Sequence, residues 1–204
     1  MPELYDHILS DQCYAVRLML GLLGVNVTRK TVDYNPAHDP PSAGVLSLNP
    51  AGDLPVMVDG NLILTDVPAI LVHLAQRHDP AGLWGAADAE VKRWLMFSAG
   101  PLSALHEARG VTLFSAAGDR DLLVAQSRAA LRIIEDHLTD GMSIGRKFMT
   151  HDRPSLADIA IFPHVMLSHD CGIGHEDYPA INLWQRSIRR LPGFVSMPGI
   201  PDYF

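Results

Sequence analysis

Cysteine is nearly absent from this chain: two residues in 204, Cys13 and Cys171, far apart in sequence. That excludes a disulfide framework. Basic residues are short as well. Sixteen Lys and Arg against 23 Asp and Glu leave a net charge of -7, which argues against nucleic acid and anionic membrane surfaces as partners. No window approaches the apolar length of a membrane span, and Met1-Pro2-Glu3 carries no basic signal-peptide head. A phosphate-binding glycine loop, a nucleophile elbow, internal repeats and low-complexity segments are all missing. These absences predict a reduced, cytoplasmic protein. With 48% apolar and 19% charged residues, the composition is that of a soluble globular chain long enough for one large or two small domains.

What is present falls into two halves. Leu4 to Leu9 reads as a short strand ending at Ser10. From Asp11 to Leu23 the apolar residues recur at helical spacing, and Gly24 supplies a stop. Val27 to Asp33 alternates, as a half-buried strand does. Tyr34 to Leu48 holds Pro36, Pro40, Pro41 and Gly44 and reads as loop with one helical turn. Pro55 opens the next strand, Asp59-Gly60 marks a hairpin, and Asn61 to Leu64 returns. A helix follows over Val67 to His78, with Asp66 or Thr65 as N-cap and Pro68 tolerated in its first turn. Asp79-Pro80-Ala81-Gly82 breaks this pattern. Beyond Ala87 every segment reads as helix: Glu90 to Leu113 with a kink at Gly100-Pro101, Arg120 to Leu138, Leu156 to Ser168 and Ile181 to Leu191, then a tail from Pro192 that packs over the surface. The expected boundaries are 1–79 for an α/β domain, 80–87 for a linker and 88–204 for an all-helical domain.

Two side chains at the first strand–helix junction could carry chemistry. Ser10 is placed either to cap the helix or to donate to a thiolate held at the helix N-terminus, where amide donors and partial positive charge converge. A hydrogen bond to a charged group contributes about 1.5–3 kcal/mol. That is enough to lower a thiol pKa from about 8.5 to about 6.5–7.5. Cys13, one turn on, reads either as a small buried hydrophobe or as a thiol activated by the same helix end. His169-Asp170-Cys171-Gly172-Ile173-Gly174-His175 holds two histidines and a cysteine, but no fourth zinc ligand stands at a usual spacing. It reads as an interhelical loop, and no metal is expected.

Leu9-Ser10-Asp11-Gln12-Cys13-Tyr14-Ala15-Val16-Arg17 resembles the start of serine-type glutathione transferases of the bacterial, theta-like kind. Asn49-Pro50-Ala51-Gly52, Leu54-Pro55, the hairpin and Thr65-Asp66-Val67-Pro68-Ala69-Ile70 match the wall with which that family grips glutathione. Ser155-Leu156-Ala157-Asp158 matches the helix start of its second domain, a capping box whose role is folding. The resemblance implies a thioredoxin-like N-terminal domain (βαβαββα) followed by an all-helical C-terminal domain, assembled as a homodimer. It makes Ser10 the residue that activates the glutathione thiol. It makes Leu54, Pro55, Asp66, Val67 and His38 the glutathione-binding set, although His38 does not align cleanly with the loop histidine of the family. Trp94, Phe97, His106 and Arg109 are then the pocket for a small electrophilic substrate, with Arg109 able to receive an acidic one.

Two departures stand inside the matching wall. Asp53 occupies a position that is often lysine or glutamine in the family, and Val67 replaces a serine hydroxyl. Each removes a grip on a glutathione carboxylate, at a cost of about one to two orders of magnitude in affinity. The resemblance therefore implies a glutathione-dependent transferase. The alternative is a transferase-fold protein that is catalytically silent and serves as a binding or assembly module.

Overall fold

The structure, a computed structural model, describes residues 1–33, 39, 41–198 and 200. The N-terminal part runs β1 (Glu3–Asp6), α1 (Asp11–Leu23), β2 (Thr28–Thr31), α2 (Ala43–Leu48), β3 (Val56–Asp59), β4 (Leu62–Leu64) and α3 (Val67–His78). The rest is helical: α4 (Ala89–Ala99), α5 (Ser103–Phe114), α6 (Arg120–Ser143), α7 (Leu156–Met166), a 3-10 turn at Ser168–Cys171, and α8 (Pro179–Arg189). The βαβαββα order and the helical second part are those the sequence predicts. One mixed sheet holds the four strands of the described residues in the order β2-β1-β3-β4. β1 runs parallel to β2 and antiparallel to β3, and β4 is antiparallel to β3.

Several element ends differ from the sequence reading, each for a local reason. β1 stops at Asp6, well before Leu9. The carbonyls of His7 and Ile8 accept from the Arg17 guanidinium at 3.2 and 3.0 Å, and that of Leu9 accepts from Arg109 at 2.5 Å. Backbone acceptors engaged this way are lost to the sheet ladder. β2 is an edge strand whose residues from Arg29 to Thr31 are exposed, so its alternation does not mark a buried face. The hairpin turn lies one residue further on than Asp59-Gly60 suggests, because Asp59 pairs with Leu62 and Gly60 alone takes the positive φ, +64°. Asp59 is held in its strand by His73 at 2.9 Å and Arg77 at 3.3 Å.

The Glu90 to Leu113 segment is two helices. Gly100 leaves the helical region (φ -107°, ψ -101°), and Pro101 has no amide hydrogen with which to continue the ladder. α2 is a capped six-residue helix, longer than a single turn, with Ser42 Oγ accepting from Val45 N at 3.3 Å. α6 runs five residues past Leu138.

Every residue of α7 is buried, so this helix is the axis of the core. Its capping box closes as expected. Oδ2 of buried Asp158 accepts from the Ser155 amide and hydroxyl at 2.8 Å each, while Oδ1 accepts from Met149 N at 2.9 Å and Trp184 Nε1 at 2.8 Å. Phe162 meets Trp184, Phe194 and Tyr14 in tilted or edge-on contacts. The segment after α8 lies against α1: Tyr14 Oη donates to Val195 O at 2.7 Å, and a Cβ on Gly21 would come within 2.6 Å of Gly193 O. α1 is thus gripped on several sides, which fixes where its N-terminus points.

Candidate active site

Four residues, His7 to Ser10, carry the chain from β1 into α1. The Ser10 amide donates to His7 O at 3.1 Å and closes a turn. With φ -77° and ψ 125°, Ser10 is the N-cap of α1, its Oγ accepting from Cys13 N at 3.1 Å. Accepting that bond leaves the hydroxyl its one hydrogen to donate. It can turn to the Cys13 sulfur, which it faces, or outward into the cleft that Ser10 lines. Capping and thiolate donation are therefore compatible in one residue.

The junction is stiffened by two guanidiniums. Arg17 and Arg29 pair with buried Asp6, and Arg17 also takes the His7 and Ile8 carbonyls. From the opposite side Arg109 takes Leu9 O and pairs with Asp170 at 2.6 Å. Three consecutive carbonyls before Ser10 are held in this way.

Cys13 is fully buried, and its sulfur accepts from His7 N at 3.4 Å. Burial pushes its pKa up to about 12. Of the two readings of Cys13, the structure selects the buried hydrophobe.

The cleft beside Ser10 has a volume of about 710 Å³, within the size range of small-molecule sites. Ser10, Asp11, Asp53 and Leu54 line one wall, and His106 and Arg109 stand among the residues of the other. Leu54-Pro55 is a cis peptide. The loop before it is braced by buried Asn49, whose side chain donates to Asp53 O at 3.0 Å and accepts from Ala51 N at 3.1 Å. Asp66 is the backbone N-cap of α3, yet its exposed carboxylate makes no cap bond and, among the described residues, accepts only from Thr65 Oγ1 at 3.3 Å. Val67 is half-buried and packs on the core. Pro55, Asp66 and Val67 are not among the cleft-lining residues. His38 lies outside the described residues.

Two expected pocket residues lie elsewhere. Trp94 is 1% exposed, tilted against His137 at 4.5 Å and edge-on to Phe97 at 5.1 Å. Phe97 packs against the same core, and neither residue lines the cleft. The inward face of α4 is Val91, Trp94, Leu95 and Ser98, a helical stripe turned to the core rather than to the cleft. His106 and Arg109 do line it. Arg109, however, is buried and committed to Asp170 and Leu9 O, so it is not free to receive an acidic co-substrate. The other ionisable side chains on the walls include Asp53, Glu107 and Asp119, all acidic and exposed.

His106 has a partner that the sequence did not reveal. Its Nδ1 stands 2.7 Å from Oδ1 of Asp11, which is 1% exposed. Oδ1 also accepts from Gln12 N at 2.9 Å, while Oδ2 faces His164 Nδ1 at 3.0 Å. Burial disfavours the Asp11 carboxylate, but the charges of His106 and His164 outweigh it and hold its pKa well below the usual range. In return the Asp11 charge raises the His106 pKa, against burial. The positive end of α1 adds to the stabilisation of the carboxylate.

The His169 to His175 segment forms the 3-10 turn and the loop after it. His175 Nε2 is taken by Ser168 Oγ at 2.9 Å and Val165 O at 3.0 Å, and its ring lies 4.6 Å from that of His169. Among the described residues no group of three or more His, Cys, Asp or Glu is placed to hold a metal ion.

Residues 9–77 match the family model described as glutathione S-transferase, N-terminal domain. A maleylacetoacetate isomerase of Rhizobium meliloti is 31% identical over 79% of this chain and 79% of its own length. This chain belongs to the glutathione S-transferase family. Across nearly its full length it is also 27% identical to a glutathione S-transferase of wheat, Triticum aestivum, covering 95% of this chain and 91% of that one. In structure it superposes on a glutathione S-transferase of Pseudomonas fluorescens with a TM-score of 0.83 at 25% identity, covering 97% and 98% of the two chains. The family membership places the Ser10 junction, the cis-proline wall and the cleft in one frame. Within that frame, the Asp11–His106–His164 cluster and acidic Asp53 stand on or beside the cleft.

Proposed function

We propose that this chain is a glutathione transferase in which Ser10 activates the glutathione thiol. The observation that carries the reading is Ser10 itself: a helix N-cap on the wall of a 710 Å³ cleft, beside the cis Leu54-Pro55 bond, with a hydroxyl hydrogen still to donate. A thiolate set there receives that hydrogen bond and the positive end of α1, together enough to shift a thiol pKa by one to two units, at about 1.36 kcal/mol each. The thiolate then attacks an electrophilic carbon held in the cleft, so catalysis rests on nucleophile activation and positioning. The Leu54 backbone receives the cysteinyl part of glutathione, and the uncommitted Asp66 carboxylate receives its ammonium. The reading extends to a cytoplasmic homodimer, supported by the family and by exposed Leu62 and Ile63 on β4 and Met96 on α4.

Calorimetric titration with glutathione tests this. Heat of binding at or below millimolar ligand, with turnover that Ser10→Ala abolishes while binding persists, is the expected result. A second reading, a silent module of transferase fold, is favoured by Asp53 on the cleft wall and by the missing hydroxyl at Val67. Absence of heat at millimolar glutathione would select it.

A further inference from the structure

The activation of glutathione leaves unused the most heavily charged assembly on the cleft. Asp11, the residue directly after Ser10, is a buried carboxylate that bridges two imidazoles contributed by α5 and α7. His164 is buried, but 42% of the His106 side-chain surface is open to the cleft. Nδ1 of His106 is fixed by Asp11, so the proton-bearing atom left over is Nε2, which has no hydrogen-bond partner among the described residues. A carboxylate that holds one ring nitrogen sets the tautomer and strengthens the base at the other.

The charges around His106 define what it can serve. Asp11 faces it from α1, with His164 behind Asp11 on α7. Glu107 and Arg109 flank it on α5, and Arg109 is neutralised by Asp170 from the 3-10 turn. Asp11 and Glu107 favour its protonated form and Arg109 opposes it. Asp53, Glu107 and Asp119 give the cleft an acidic rim that repels an anionic electrophile. A neutral electrophile that gathers negative charge on oxygen during the reaction fits better.

We propose that His106 is the proton donor of this cleft, delivering its Nε2 proton to the oxygen of a neutral conjugated carbonyl compound as the glutathione thiolate adds to it, with Asp11 and His164 as positioning residues. The proposal rests on the glutathione reading above. In the step, sulfur bonds to the carbon β to the carbonyl. The C=C π pair moves to form the enolate, and the Nε2–H bond breaks as the proton passes to the enolate oxygen. The enol then tautomerises to the ketone. The proton that the thiol released on ionising restores the imidazolium, so the net change is addition of S–H across C=C with no oxidant or reductant.

The test compares two electrophiles on the intact enzyme: an α,β-unsaturated ketone, which needs the proton, and an activated aryl chloride, which loses chloride and needs none. His106→Gln is expected to lower kcat for the ketone about 10²-fold or more, the usual size of a general acid contribution. The aryl chloride rate should fall only a few-fold, so the ratio of the two drops at least tenfold. The pH profile supplies the readout for the positioning residues. For the wild type, kcat with the ketone declines as pH rises through the raised His106 pKa. In Asp11→Asn that limb moves to lower pH, and in His106→Gln it disappears. Parallel loss on both electrophiles, an unmoved limb in Asp11→Asn, or no ketone turnover by an enzyme that conjugates the aryl chloride would overturn the assignment. Failure to bind glutathione at all would instead overturn the parent reading. The proton-donor role then falls with it, while nitrogen-15 NMR of His106 shows separately whether Asp11 holds Nδ1 and keeps the imidazole protonated above the usual histidine range.

Discussion

Nε of Arg109 donates to Oδ2 of Asp170 at 2.6 Å, while Nη1 of the same guanidinium holds Leu9 O at 2.5 Å. One side chain of the helical half therefore fixes the backbone one residue before Ser10. It acts as a brace across the cleft and not as a receptor for anions.

Replacing Arg109 with Leu removes both bonds and leaves Asp170 unpaired. Asp170 retains 24% exposure, so the loss is smaller than for a fully buried pair. Urea denaturation should show a destabilisation of about 1.5–3 kcal/mol, the range for hydrogen bonds involving charged groups. Turnover of neutral and anionic electrophiles should fall together, because what is lost is the placement of Ser10. A selective loss for anionic substrates would contradict the brace role.

Cys13 offers a second check. With its thiol pushed up to about 12 and its surface fully buried, it has almost no thiolate at neutral pH, and the thiolate is the reactive form. Cys13→Ala should retain catalysis within a few-fold, and the folded protein should resist thiol reagents that label it readily in denaturant. Loss of activity in Cys13→Ala without loss of stability would return Cys13 to the mechanism.

Acid should weaken the fold through His175. Burial lowers its pKa to about 4, against about 6.5 in an unfolded chain. The neutral ring contributes stability fully above the unfolded value, and that contribution declines as pH falls from about 6.5 towards 4. The total is about 3 kcal/mol by linkage. The difference in unfolding free energy between wild type and His175→Gln, measured at pH 7.5 and pH 4.5, should therefore shrink in acid. A difference that stays constant across this range would refute the assignment.

The sequence showed most of the fold because its punctuation is local. Gly24, Pro55, Gly60, Pro101 and the Ser155–Asp158 box each act within a few residues of themselves, and so the element order can be read from them. Ser10 was legible for the same reason, since a cap lies one turn from what it caps. The partners of the site were not. Asp11 and His164 stand 153 residues apart, and nothing in either neighbourhood signals the other. Glu135 on α6 is hidden in the same way: its carboxylate accepts from Ala180 N and Ile181 N at 2.9 Å each and caps α8 from 45 residues away. Helical periodicity places Trp94 and Phe97 on α4 but not the direction in which the helix turns. That direction is set by α7, against which α4 packs.

The most direct measurement is the thiolate absorbance of bound glutathione, followed by ultraviolet difference spectroscopy as pH is raised. For the wild type the thiol is predicted to ionise one to two units below its value in water, and for Ser10→Ala, with glutathione still bound, that shift should be largely lost. An unshifted thiol in the wild type, or an equal shift in Ser10→Ala, would contradict the account.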